Sequence, residues 1–451
     1  MTFATLRRFT LSAFFLSLCL LAESRRVEAA PQAQSSPKTW KAVAELSAAE
    51  RARIDLSSHT PRHPEIPYLP AEAYPFQPPY TAEEMGYRAS EFPHSPRWSC
   101  VHADVIASIN SWGHLLEQSN VVVLVAHRKP EGLVGELYHT KPGEHFVTSL
   151  GQYSGPAQRY GSQNLSLRYR VDKDFTKKID MFIYTPSLRR VRRQPQPRRA
   201  DRFPNMAFTF DDGFGRDSWE WSWRILGTDV LFETVRFPHT RQTITLADDT
   251  NSFRQIPTPQ LKMMGDRYPF YTPDGGVECY VVEARAREDW LPDYYAPKIV
   301  YWLDKHFFYP LRIEEYDPEG RLIFIETRIA DLLNPALGEH GYGMLIDVYW
   351  DLTIDLLTYS AHDGHRVRAW TDEDRQTYFN PDFMRRVWFI DEVKSQAGIN
   401  TPDEFCLRPA LDVEKFPTER TIVLSPELQA RVDAQEAAGR LVFDSQPQTD
   451  E

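Results

Sequence analysis

Cysteine is scarce in this chain, with four in 451 residues. Cys19 falls inside an N-terminal apolar run, and Cys100, Cys279 and Cys406 lie more than a hundred residues apart. That spacing excludes a disulfide-dense scaffold and has no zinc-site signature. With Cys19 lost to processing an odd number remains, so at most one internal bridge can form. Past residue 30 no apolar run approaches the ~20 residues a spanning helix needs. Gly-rich phosphate loops, a Gly-x-Ser-x-Gly elbow and fixed-period repeats are all absent. Positive charge is in deficit, since 52 Lys and Arg face 63 Asp and Glu for a net −11. Such a balance makes a poor nucleic-acid binder.

What is present begins with a targeting signal. Arg7-Arg8 precede an apolar stretch over residues 11–22, followed by the small-residue site Val27-Glu-Ala29. Residues 1–29 therefore read as a cleavable secretory signal, which predicts export to the periplasm. Leu18 before Cys19 argues against lipid attachment there. Removing the signal takes four Arg and two Glu and leaves a net −13.

The mature chain divides into three parts. Residues 30–97 combine a helix-tending segment (38–54) with an extended arm, in which nine prolines between Pro61 and Pro96 alternate with Tyr68, Tyr74, Phe76 and Tyr80. Proline forbids a regular helix or central strand there, so the aromatics are expected to lay the arm on a globular surface. Residues 98–425 form the main domain, and residues 426–451 a C-terminal helix and a disordered tail. Helical spacing of Val105, Ile106, Ile109, Trp112 and Leu116 predicts a helix over residues 101–116. Strand signals follow at 121–126, 132–138, 165–171 and 178–184.

Residues 277–330 read as four strands with their turns spelled out. In Asp317-Pro-Glu-Gly320, Pro suits the first corner of a type I turn and Gly the position with positive φ. Residues 344–352 and 354–359 extend the sheet. The expected fold is α+β, with one large antiparallel sheet. Tyr280/Val281/Val282, Val300/Tyr301/Trp302 and residues 322–325 are apolar on both faces, so both faces need covering. Val281, Val300, Trp302, Leu311, Ile313, Leu322, Phe324, Val348 and Trp350 are the candidate lining of a hydrophobic cavity.

Three polar groupings compete for a role. Thr209-Phe-Asp-Asp-Gly213 resembles the first motif of metal-dependent polysaccharide deacetylases, where Asp211 would be base and Asp212 a metal ligand. The two histidines four apart that should follow are missing, because His362 and His365 have the wrong spacing and suit a hairpin tip. Asp211, Asp212, Asp217 and Glu220 also lack the alternation of a calcium loop. Seven arginines crowd residues 189–202. Arg189, Arg190, Arg192 and Arg193 are candidates for an anionic headgroup or a partner, the alternative being pairing with the protein's own acids.

Tyr184-Thr-Pro-Ser-Leu-Arg-Arg, the strand at 277–284, and the pairing of Tyr301-Trp-Leu-Asp-Lys305 with residues 309–322 resemble a family of uncharacterised periplasmic proteins. These are similar to outer-membrane lipoprotein-sorting proteins and to the LolA and LolB carriers. The resemblance implies an unclosed half-barrel lidded by helices, carrying a lipid or acyl chain, with an inner-membrane exporter of the resistance-nodulation-division type or an outer-membrane protein as partner. It brings no catalytic residues and no cofactor. The expected function is thus a non-enzymatic periplasmic carrier or accessory protein, possible association with the outer membrane included. The alternatives are an envelope polysaccharide deacetylase using Asp211 and Asp212, and a structural envelope protein without ligand.

Overall fold

The computed structural model describes residues 40–385 except 58, 65–66, 72–75, 92–99, 111–113, 128–140, 174–177, 233–242, 249–252, 258–259, 267, 335–338, 364 and 368–371, together with Ala430. The signal segment, the strand expected at 132–138 and the C-terminal tail lie outside these residues. Among them no helix is long and apolar enough to cross a membrane.

The strands are β1 (Lys41–Ala42), β2 (Ile54–Asp55), β3 (Tyr80–Thr81), β4 (Cys100–Asn110), β5 (Leu115–His127), β6 (His145–Gly155), β7 (Gln163–Tyr169), β8 (Ile179–Thr185), β9 (Arg190–Gln194) and β10 (Trp221–Leu231). They continue with β11 (Thr243–Asp248), β12 (Phe253–Pro257), β13 (Val277–Ala286), β14 (Lys298–Asp304), β15 (Pro310–Tyr316), β16 (Leu322–Asn334), β17 (Glu339–Asp351), β18 (Leu356–Asp363) and β19 (His365–Val367). Among the described residues the α-helices are α1 (Ala48–Arg51), α2 (Ala82–Glu91), α3 (Phe210–Phe214) and α4 (Asp372–Tyr378).

Antiparallel pairing runs β1-β10-β13-β14-β15-β16-β17-β18-β4-β5-β6-β7-β8-β9. No described pairing joins β9 to β1, so the sheet is unclosed. Among the described residues the β11–β12 hairpin pairs in parallel with β18 at Ala247↔His362 and Asp248↔Asp363.

The meander at 277–330 forms as its turns dictate. Gly320 sits at φ +80° and its N–H reaches the Asp317 carbonyl at 2.9 Å. The helix expected at 101–116 is instead β4 and the start of β5. Val105, Ala107 and Ile109 alternate into the core, each at most 1% exposed, and pairing with β5 and β18 overrides the helical spacing. Within the segment expected to be helical at 38–54, the described residues 40–54 break into β1, a 3-10 turn (Val43–Glu45), α1 and β2 rather than one helix. His362 and His365 do not stand at a hairpin tip, because β18 and β19 both run along β4.

Candidate functional site

The register of β13–β18 separates two faces. On the first, Tyr280, Val282, Ile299, Tyr301, Leu303 and Ile313 are buried against the N-terminal arm. Phe76, tilted, and Tyr80, edge-on, pack against Phe308 at ring-centroid distances of 6.4 and 5.0 Å, and α2 brings Met85 and Tyr87 onto the same cluster. Gly86 lets the helix sit on Trp223, since a Cβ there would lie 2.2 Å from the indole ring.

Farther along this face the cover becomes ionic. Thr209 caps α3, its backbone N–H and hydroxyl donating to Asp212 Oδ2 at 2.6 and 2.8 Å. Asp211 accepts from Lys178 Nζ at 2.6 Å, Arg199 at 2.9 Å and the Tyr294 hydroxyl at 2.8 Å. Burial alone would raise the Asp211 carboxyl, but Arg199 and Lys178 hold it well below the usual carboxylate range. Arg216 donates to Asp212 at 2.5 Å, Glu315 at 2.6 Å and the Tyr294 and Tyr295 hydroxyls, both at 2.9 Å. Burial pushes Glu315 well up despite Arg216, and the neighbouring Asp212 adds to it. On β16, burial raises Glu326 to about 7 although Arg328 Nε donates to it at 2.6 Å.

Asp211 and Asp212 therefore do not meet solvent as a base and a metal ligand. Their lone pairs are taken by cations, hydroxyls and the α3 cap. Among the described residues no group of three or more His, Cys, Asp or Glu is placed to hold a metal.

The second face carries two apolar clusters. Val281, Val300, Trp302 and Leu311 pack with Met263, Met264, Tyr268 and Phe307. Asp304 closes the β14–β15 connection there, accepting from the backbone N–H groups of His306, Phe307 and Tyr309 at 3.0, 3.0 and 2.7 Å. Burial still raises its carboxyl to about 6. The larger cluster joins Ile329, Ile346, Val348, Leu357 and Tyr359 to Val105, Ile109, Val122, Leu124, Leu150 and Leu165. Among the described residues its cover is Ile244 and Ile256 from the β11–β12 hairpin, Leu261, Tyr378 and Phe379 at the end of α4, and Phe383 and Met384 from the following 3-10 turn. Between the two clusters Arg312 lies over Trp302 and donates to Glu314 at 2.6 Å.

The nine candidate lining residues are thus divided. Val281, Val300, Trp302 and Leu311 share one cluster, Val348 and Trp350 belong to the larger one, and Leu322 is half-buried. Ile313 and Phe324 face the other way, toward the arm and Phe208.

The arginine run also divides. Arg189, at φ +49°, closes the β8–β9 turn, and Arg190 and Arg192 are exposed on the edge strand β9. Arg193 reaches Asp180 at 2.5 Å, Arg199 binds Asp211 and Glu220, and Arg202 reaches Asp351 at 2.5 Å. Pairing with the protein's own acids accounts for those three.

A recess of about 80 Å³ lies between arm and sheet, lined by Arg62, Tyr68, Tyr87, Trp219, Trp223 and Arg287 among others. It is small beside the ~300–1,000 Å³ of ordinary ligand sites.

Sequence reasoning missed Lys178, Arg216, Tyr294, Tyr295 and Glu315. One signal was available: Thr209-x-x-Asp212 fits a capping box, which reads the Asp pair as a helix start.

The sequence profile of a family described as "Protein of unknown function (DUF1329)" matches residues 110–385. The chain belongs to this family. Similar solved structures include a DUF1329 family protein from Desulfovibrio piger, 16% identical over 67% of this chain and 97% of that one, with a TM-score of 0.43. A putative outer membrane lipoprotein-sorting protein domain from Vibrio parahaemolyticus is 13% identical over 68% and 98%, with a TM-score of 0.42. A LolA superfamily protein from Nitrosomonas europaea is 15% identical over 67% and 99%, with a TM-score of 0.38. No curated protein matches this DUF1329 chain.

Proposed function

We propose that this DUF1329 protein is an exported, non-enzymatic carrier or accessory protein that shelters a hydrophobic molecule, a lipid or a lipoprotein acyl chain. The cargo would lie against the face formed by Ile329, Ile346, Val348, Leu357 and Tyr359. One observation carries this reading. Among the described residues, the larger apolar cluster of the second face is covered by a hairpin paired to β18 over two residue pairs, by a seven-residue helix and by the 3-10 turn after it. A cover of that size can be exchanged for a ligand, at roughly 25 cal/mol per Å² of apolar surface buried. The site is then formed by displacement. Its supply and delivery partners would be envelope proteins at the inner or outer membrane, with Arg189, Arg190 and Arg192 turned toward an anionic group.

A structural protein without ligand is the second reading, favoured by the fact that the chain's own segments cover both described apolar faces. Mass spectrometry of organic extracts from natively purified protein separates the two. The carrier reading expects a co-purifying lipid at near-stoichiometric amount. Clean extracts, together with no uptake of added long-chain fatty acid, would leave the structural reading standing.

A further inference from the structure

One end of the sheet carries a row of exposed apolar side chains. The register places three hairpin connections, β17–β18, β6–β7 and β8–β9, side by side there with the facing ends of β4 and β5. Asp351 pairs with Leu356, Leu356 with Asn110, Ile109 with Leu115, Gln152 with Gln163, Gln163 with Tyr184, and Thr185 with Arg190. Neighbouring connections also touch. Arg159 of the β6–β7 turn pairs with Glu117 of β5, and a Cβ on Gly161 would meet Pro186 of the β8–β9 turn at 3.4 Å.

The three connections and the start of β5 present large apolar residues to solvent. Ile354 is 51% exposed, Leu115 and Leu116 are 47% and 59%, Tyr160 is 42% and Leu188 is 49%. Isolated exposed apolar residues are ordinary, but five gathered at one sheet end, three on turns and two at the start of β5, form a surface that water disfavours. The β8–β9 hairpin adds charge. Arg189 follows Leu188 directly, and Arg190 and Arg192 project from the opposite side of β9 to Val191, which packs on the core. None of these three arginines is in an ion pair among the described residues, in a chain whose net charge is −11. Of the acids at this end, Glu117 is engaged by Arg159 and Asn205 and Asp351 by Arg202 and the Thr353 hydroxyl, while Asp355, half-buried beside Ile354, is in no ion pair among the described residues.

We propose that this end of the sheet is a docking surface for an anionic bilayer. Turn-tip side chains insert among the acyl chains while Arg189, Arg190 and Arg192 meet lipid phosphates, the pairing of apolar body and basic rim that interfacial binding uses. The proposal extends the reading of β9 as anion-facing and is independent of whether the protein carries cargo. A folded partner protein would also bury apolar tips, but localised arginines in an acidic protein favour a surface of phosphates.

Flotation of the full chain with vesicles of phosphatidylethanolamine and phosphatidylglycerol, against vesicles of phosphatidylcholine alone, tests it. Leu116→Asp/Leu188→Asp and Arg190→Glu/Arg192→Glu, all at exposed positions, are each expected to lower binding to the anionic vesicles by about tenfold or more relative to the unaltered chain. Phe232→Asp, 59% exposed at the other end of the sheet, is expected to bind as before. Equal binding by the unaltered chain and both rim variants, or binding indifferent to anionic lipid, would overturn the proposal. So would a loss of equal size in the Phe232 variant. Clean extracts in the cargo experiment leave these outcomes unaffected, so the two ideas fail separately.

Discussion

The two faces of the β13–β18 sheet are closed by different chemistry. On one, the arm supplies aromatic packing and α3 brings Asp211, Asp212 and Arg216 into a network in which each charged group has several partners. On the other, an apolar cluster is capped, among the described residues, by a two-strand hairpin, one short helix and the 3-10 turn after it. A buried charge network is costly to open, because any partner withdrawn leaves an uncompensated charge behind. An apolar cap costs only the surface it re-exposes, and a hydrophobic ligand can supply that surface. In the proposed carrier, the first face is structural and the second is where exchange would take place.

The sharpest way to break it is Arg216→Met, which strands Asp212 and Glu315 without their shared cation. Unfolding by denaturant is expected to show a loss of about 3–5 kcal/mol. A loss below about 1 kcal/mol would mean that the ionic cover is not what holds this face. Next comes Gly86→Ala, whose Cβ lies 2.2 Å from the Trp223 ring. It should cost about 1–3 kcal/mol and make the arm a protease target before the sheet. Ile244→Ser, at a position 1% exposed, is expected to cost about 1–2 kcal/mol while raising binding of a hydrophobic dye, because the hairpin detaches and the sheet persists. Unchanged dye binding would make the second cover as fixed as the first.

One further effect concerns pH. Glu326, ordinarily at 4.5, is raised to about 7 by burial, so the folded protein holds this proton more tightly than the unfolded chain. Its contribution is complete below about 4.5 and is lost as pH rises toward about 7, at no more than about 1.4 kcal/mol per pH unit. Glu326→Gln should flatten that part of the melting-temperature profile. Asp211 works in the other direction, its lowered carboxyl contributing above 3.8 and failing as pH falls.

Legibility in the sequence followed locality. The meander of β13 to β16 was readable because its turn residues act within four positions, as Asp317 to Gly320 do. The β4 strand was not, because Val105 and Ile109 fit a helical stripe until β5 and β18 supply partners from distant parts of the chain. The Asp211–Asp212 pair carried a misleading likeness for the same reason: Lys178, Arg216, Tyr294 and Glu315 arrive from four separate segments, and only their convergence reveals an ionic lock. Two-sided apolar strands announced that both faces needed covers. Which segments would cover them depended on long-range packing that no local pattern encodes.

Amide hydrogen exchange with and without a long-chain fatty acid tests the central contrast most directly. The account predicts that amides of β11, β12 and α4 exchange through local opening, much faster than those of β13 and β14, and that the fatty acid alters protection in the first set while leaving the second unchanged. Equal, slow exchange in both sets, indifferent to the fatty acid, would contradict it.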